Sequence, residues 1–322
     1  MAHTARSTAG SMNWVGSELP SDAGVVRISP DCAEEIRSLA AELDKNPLTT
    51  EALTPEDFDL PYSRDLMRRI RSLVEDELGF AIIDRLPLDE IGRDVAVKIY
   101  WLLASMLSRP VAQNWKGALL YDVADTTGKK PGNGIRPDVT NAEQNFHTDN
   151  SYNVMPPDYV CLLCLQAAKS GGVSRIVSLE TAKERLEQHH PDLLKRLYEP
   201  FLFDRQREHA PNDPKWIRNR IFSNANGRLR ARISAYLVRQ GYDIAGEAID
   251  PKGDAALRKL AEIIDDETLY KEFWFEPGQI QIVDNRRIGH KRTAFEDWPE
   301  PERRRHLVRL WLRESGRRFY HG

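Results

Sequence analysis

Cysteine is scarce in this chain, with three among 322 residues. That number rules out a disulfide framework, and Cys161-Leu-Leu-Cys164 has no second pair with which to complete a zinc site. The pair also lies in Tyr159-Val-Cys-Leu-Leu-Cys-Leu-Gln166, which reads as a strand. An odd separation there sends the two thiols to opposite faces, as small buried hydrophobes suited to a reducing cytoplasm. Long apolar runs are missing too. None approaches the roughly 20 residues that cross a bilayer, so no membrane role is expected. Basic excess is absent: 46 Lys and Arg against 49 Asp and Glu leave a formal charge of −3. That balance argues against a nucleic-acid partner. Met1 to Gly16 lacks an apolar core with a cleavage site, which argues against secretion. Its Ser, Thr, Ala and Gly content predicts a flexible leader over 1–20.

The content that remains is 41% hydrophobic. That is enough for a substantial core. With no repeat, low-complexity linker or firm boundary, residues 21–322 are expected to form a single domain. Its first part, to about 110, reads as helical. Asp31 is expected to cap a helix over 32–43 and Ser63 to cap another through Leu66, Ile70 and Leu73. Leu88 to Leu107 predicts one long helix with Ile91, Val95, Ile99, Leu102 and Leu103 as its apolar stripe. Short strands are expected at 79–84, 119–123, 159–166, 174–178, 279–283 and 306–312. Helices are expected at 179–189, 191–197 and 255–264, the last capped by Asp254. Segment 201–226 resists assignment. An α+β fold results, with a β-rich core over 111–322 and helices around it.

Chemistry concentrates in Gln144-Asn-Phe-His-Thr-Asp-Asn150, which follows a polar loop over 126–143. On an extended chain residues i and i+2 share a face, so His147 and Asp149 can bind one metal ion together. A 2-His-1-carboxylate site for Fe(II) then needs one distant histidine. Among eight histidines, His290 is the candidate. It follows the 279–283 strand and the turn 284–289, where a strand end can present an imidazole to the mouth of a barrel. The others lie at the termini, in charged helix ends or polar loops, or on the wrong face of a strand. In Arg303-Arg-Arg-His-Leu-Val-Arg-Leu-Trp-Leu-Arg313 the alternation puts His306, Val308, Leu310 and Leu312 on one face. Arg305, Leu307, Arg309, Trp311 and Arg313 share the other. An arginine projecting into a cleft can grip a carboxylate through two parallel charge-assisted hydrogen bonds. Arg286, Arg287 and Lys291 are expected to be solvated.

His147-x-Asp149, with His290 far downstream and Arg305 shortly after it, resembles the Fe(II)/2-oxoglutarate-dependent dioxygenases of the TauD/TfdA, clavaminate synthase-like family. Phe146-His-Thr-Asp-Asn150, Glu276-Pro-Gly-Gln-Ile-Gln281, the stretch His290 to Trp298 and Arg305-His-Leu-Val-Arg-Leu-Trp311 carry the same resemblance. It runs from about Leu119 to the C-terminus. It implies a double-stranded β-helix, or jelly-roll, core with a lid insert near 201–252, and His147, Asp149 and His290 as catalytic iron ligands. It further implies that Arg305 and the Ser174 hydroxyl hold the distal carboxylate of 2-oxoglutarate. Arg309 falls where the family contacts an acidic group of the prime substrate.

The implied reaction uses O2 and 2-oxoglutarate to hydroxylate an unactivated C–H bond of a small acidic or amino-acid-like molecule, releasing succinate and CO2. Asp149 favours oxygenation, since related halogenases carry a small residue there; desaturation and cyclisation stay open. Two other readings stand beside this one: a jelly-roll binding protein without catalysis, and a macromolecule demethylase using the same iron chemistry. The partner expected is a small molecule, and a homo-oligomer is compatible with the sequence.

Overall fold

The computed structural model describes residues 12–126, 128 and 139–320, and a mixed helix-and-sheet architecture organises them. Two sheets dominate. The larger follows the order Val25–Arg27, Phe80–Asp84, Ile280–Asp284, Tyr159–Gln166, His306–Leu312 and Pro110–Val111, with Tyr121–Val123 also pairing along His306–Leu312. The smaller has four strands in the order Tyr270–Phe273, Ser174–Ser178, Ile288–Arg292 and Gln144–His147. All pairs in the smaller sheet are antiparallel; in the larger, only Val25–Arg27 runs parallel to its neighbour.

Each sheet buries its outer face under helices. Cys161, Leu163 and Leu165 alternate outward along their strand, as Leu310 and Leu312 do along theirs. They share one core with Ile36, Leu43, Ile70, Ile99 and Trp101 of the N-terminal helices. Cys164 points the other way into a small separate cluster with Val123, Phe275 and Leu307. The opposite-face reading of the two thiols therefore holds, and all three cysteines are buried and unpaired. A second core joins Phe146, Val177 and Tyr270 of the smaller sheet to Leu186, Leu197, Val238 and Leu257 of the later helices. The inner faces of the two sheets are left to line a shared cleft.

Local chemistry moves several boundaries. The first helix, Pro30–Lys45, is capped by Ser29, whose Oγ accepts from Cys32 N at 3.2 Å. Pro30 presets the first turn and displaces Asp31 from the cap. The helix Pro61–Ser72 has no side-chain cap; the Glu35 carboxylate instead accepts from Tyr62 N and Ser63 N. The long helix expected over 88–107 divides at Gly92 into Leu88–Ile91 and Arg93–Leu107, and the glycine takes φ 75°. No helical residue adopts that angle, and glycine reaches it without steric cost. Asp250 rather than Asp254 caps Pro251–Ile264. The unassigned segment folds into two hairpins, Pro200–Asp204 with Trp216–Arg220 and Phe222–Ala225 with Arg228–Ala231.

The leader expected over 1–20 is corrected over its described part. Trp14 is fully buried and donates through Nε1 to Leu78 O at 2.7 Å, and Gly16–Glu18 forms a 3-10 turn. A large aromatic ring supplies the burial energy that a run of small residues lacks. Residues 1–11 lie outside the described residues. No helix among the described residues is long and apolar enough to cross a membrane.

Candidate metal centre

Gln144–His147 runs antiparallel to Ile288–Arg292, with His147 directly opposite His290. The imidazoles meet across the ladder, their ring centroids 4.4 Å apart. The strand ends at His147, so Asp149 does not share its face by simple alternation; it sits in a turn that continues through Asn150 at φ 55°. The turn brings its carboxylate to the same point. Asp149 Oδ1 lies 3.4 Å from His147 Nε2 and 3.3 Å from His290 Nε2. One ligand atom from each of the three residues falls within 4.8 Å of the others.

The carboxylate is oriented from behind. Trp311 Nε1 donates to Oδ2 at 2.7 Å, and Arg309 Nη1 lies 3.3 Å from the same oxygen. Oδ1 is thereby left to the imidazoles, an arrangement for ligation through one oxygen. Asn285, fully buried, fixes the Asp149 backbone: Asp149 N donates to Asn285 Oδ1 at 2.7 Å, and Asn285 Nδ2 donates to Asp149 O and Pro157 O at 3.0 Å each. Thr148 N donates to Ile233 O, and Ile233 N to Thr148 Oγ1. The loop that carries the aspartate is thus tied to the turn after Ile280–Asp284 and to the 201–252 insert.

Charge favours metal binding. Burial would raise the Asp149 carboxyl, but the Arg309 guanidinium and the adjoining His147 and His290 imidazoles hold it well below the usual carboxylate range. Burial, followed by the neighbouring His147, pushes His290 down, toward the neutral form that ligates. His147 Nδ1 lies 2.8 Å from Asn145 O. Facing a carbonyl, Nδ1 must carry the proton, so Nε2 turns its lone pair to the centre. Two imidazole nitrogens and one carboxylate oxygen on one side of a cleft, with the other side open, match the donor set that non-haem Fe(II) takes.

The cleft is lined by all six candidates: His147, Asp149, Ser174, His290, Arg305 and Arg309. Val123, Val160, Leu162, Leu307 and Phe275 supply its apolar wall. Ser174 is buried at the start of its strand, paired with Arg292. Arg305 is 5% exposed, and burial pushes its guanidinium down to about 10. Its Nη1 has no hydrogen-bond partner among the described residues. A buried guanidinium with a donor left over is costly and calls for an anion. Gly172 makes room for it: at φ +67° a Cβ there would lie 3.3 Å from Arg305 Nε. Arg309 is packed against the Tyr121 and Trp311 rings and donates through Nε to Gln113 Oε1 at 2.8 Å.

Other expectations divide. His306 points away from the cleft and pairs with Asp122 at 2.8 Å, as the alternation requires. Arg286, Arg287 and Lys291 are buried rather than solvated. Arg287 Nε donates to Asp284 Oδ2 at 2.6 Å, and Lys291 Nζ sits 2.7 Å from Asp265 and 3.0 Å from Glu143. Most of the 126–143 loop, residues 127 and 129–138, lies outside the described residues. Sequence reasoning missed Asn285 and Gln113, and placed Trp311 on the face of Arg305 and Arg309 without giving it a role. Asn285 lay in a stretch read as a turn, and nothing in a turn signature tells a buried amide from a solvated one.

Residues 44–311 match the model of the family described as taurine catabolism dioxygenase TauD, TfdA family. FR-33289 synthase of Streptomyces rubellomurinus is 29% identical over 294 residues, covering 88% of this chain and 84% of its own. Among solved structures, an asparagine oxygenase in complex with Fe(II), 2S,3S-3-hydroxyasparagine and succinate superposes with a TM-score of 0.67 at 20% identity, over 90% of this chain and 93% of that one. The non-heme iron oxygenase OrfP in complex with Fe and alpha-ketoglutaric acid gives 0.64 at 16% identity, over 90% and 94%. At such identities the structures establish a shared fold.

Proposed function

The chain belongs to the TauD/TfdA family of Fe(II)- and 2-oxoglutarate-dependent oxygenases, and from that premise we propose that it hydroxylates an unactivated C–H bond of a small acidic or amino-acid-like molecule. The observation that carries the reading is the convergence of His147, Asp149 and His290 on one point of a cleft that Ser174 and Arg305 also line. The two sheets correspond, on this reading, to the two halves of a double-stranded β-helix, and residues 21–322 to one domain with a lid over 201–252. Three buried, unpaired cysteines support a cytoplasmic setting.

Iron and 2-oxoglutarate are the cofactors; bound together with O2 they supply the oxidant, and 2-oxoglutarate leaves as succinate and CO2. His147, Asp149 and His290 would hold the metal through two imidazole nitrogens and one carboxylate oxygen. Arg305, with its unpartnered Nη1, grips the distal carboxylate of the co-substrate, and the Ser174 hydroxyl donates to the same group. The apolar wall of Val160, Leu162 and Leu307 keeps water from the reacting centre. Arg309 faces the cleft as well as Asp149, where its charge suits an acidic group on the prime substrate. The relatives support this class of substrate: asparagine oxygenase and OrfP are seen with hydroxylated amino acids.

The test is anaerobic addition of Fe(II) and then 2-oxoglutarate, followed by visible absorption. A weak charge-transfer band that requires both additions is expected. Its absence from folded, metal-loaded protein would sink the oxygenase reading. Succinate release across a panel of amino acids and acidic metabolites then identifies the substrate.

A further inference from the structure

Gln281 lines the cleft, and the metal centre leaves its amide unexplained. It is the second residue of Ile280–Asp284 and is 2% exposed, yet its Nε2 has no hydrogen-bond partner among the described residues. Register places it in a lateral row of the larger sheet. Gln281 pairs with Ile82 on one side and Leu162 on the other, and Leu162 pairs in turn with Arg309. Residues directly opposite on neighbouring strands point to the same face, so the amide projects into the cleft beside two aliphatic side chains that accept nothing.

The acceptors at hand do not serve it. Asp149 Oδ2 is taken by Trp311 and Arg309, and Oδ1 faces the two imidazoles. A strand position between apolar neighbours is a poor place to bury an unpaired N–H, and an aliphatic residue would cost less there. Arg305 presents the same anomaly from another strand end of the same cleft, with Nη1 unpartnered. Gln281 Nε2 and Arg305 Nη1, buried in one cleft without acceptors among the described residues, call for a ligand rich in oxygen.

We infer that Gln281 is a further binding residue for the co-substrate, its Nε2 donating to a carboxylate oxygen of 2-oxoglutarate. The inference rests on the oxygenase reading above. It adds a third donor, from Ile280–Asp284, to those that Arg305 and Ser174 provide. It also explains a polar side chain that the fold would be better without.

Gln281→Leu separates a ligand-binding role from a structural one. Under anaerobic conditions, Fe(II) affinity and 2-oxoglutarate affinity are measured by absorption for wild type and variant, with the thermal midpoint of the ligand-free protein. Loss of a hydrogen bond to a charged acceptor raises the 2-oxoglutarate Kd about tenfold or more, while Fe(II) affinity is unchanged. The ligand-free midpoint stays level or rises, because an unsatisfied donor has gone. An unchanged Kd overturns the inference, and so does a Kd that rises together with a clear fall in the midpoint, which marks a loosened fold. Gln281→Met, similar in length and without the amide, repeats the measurement should leucine pack poorly. If wild type itself binds no 2-oxoglutarate, the oxygenase reading fails; if wild type and variant bind alike, only the Gln281 assignment fails.

Discussion

Replacing Asn285 with alanine should loosen the metal centre without touching a ligand. The side chain makes three buried hydrogen bonds, of 2.7, 3.0 and 3.0 Å, two of them to the Asp149 backbone. At about 1 kcal/mol net each, their loss costs about 3 kcal/mol. For a chain of this size that lowers the thermal midpoint by roughly 4 °C. The functional consequence is larger. Asp149 would be free to turn in its loop, and losing a group that orients a ligand typically weakens metal binding by about 10–100-fold. Thermal unfolding with and without Fe(II) reads both effects. At a metal concentration of about 100 Kd, wild type gains about 2.7 kcal/mol; a variant bound about 100-fold more weakly gains about 0.4 kcal/mol. Most of the metal-induced rise in midpoint should therefore vanish. Asn285→Asp keeps an acceptor for Asp149 N but turns a buried carboxylate oxygen toward two carbonyls, and should destabilise at least as much as alanine. A variant with the full wild-type metal-induced shift would refute the claim that Asn285 positions the aspartate.

Asp149→Ala should abolish succinate release and the charge-transfer band while the protein still folds; full turnover would refute the triad. Arg305→Leu removes a buried guanidinium, and two charge-assisted hydrogen bonds at about 1.5–3 kcal/mol each predict a 2-oxoglutarate Kd at least about 100-fold higher. An unchanged Kd would mean that another cation holds the co-substrate. Arg309→Ala removes the charge that keeps the Asp149 carboxyl low, so its pKa rises, and the acid limb of Fe(II) binding moves to higher pH. The sign follows because only the carboxylate ligates; an unmoved limb would confine Arg309 to the prime substrate. No thiol should react with an aromatic disulfide reagent in the native protein at mildly alkaline pH, since burial pushes all three up, Cys164 to about 12. Rapid native labelling would contradict the packing at Cys161 and Cys164.

The resemblance in sequence and the structure agree best where chemistry is carried by side-chain type at a short spacing. His147 and Asp149 are two residues apart, and no loop geometry can separate them far. His290 was harder, being far along the chain, and only the pairing of its strand with Gln144–His147 explains the meeting. Alternation over 303–313 was legible because a strand has period two. It set Arg305, Arg309 and Trp311 apart from His306 correctly.

What the sequence determined by itself was the set of residue types able to bind a metal and a dicarboxylate, and the faces of strands and helices that must be buried. Those follow from covalent chemistry and local periodicity, which need no knowledge of distant neighbours. Only the tertiary structure decided how the set is held. Asn285, Trp311 and Gln113 are ordinary polar or aromatic residues until long-range packing sets them against Asp149 or Arg309. Arg286, Arg287 and Lys291 look solvated until the surrounding chain closes over them. Gln281 is the same case: an amide within a strand is unremarkable, and it becomes informative only when both neighbouring strands present aliphatic side chains and its N–H has nowhere to go but the cleft. The physical reason is one of range. Periodicity extends over a few residues, whereas the partner of a buried polar group is chosen by contacts that close very long loops of chain.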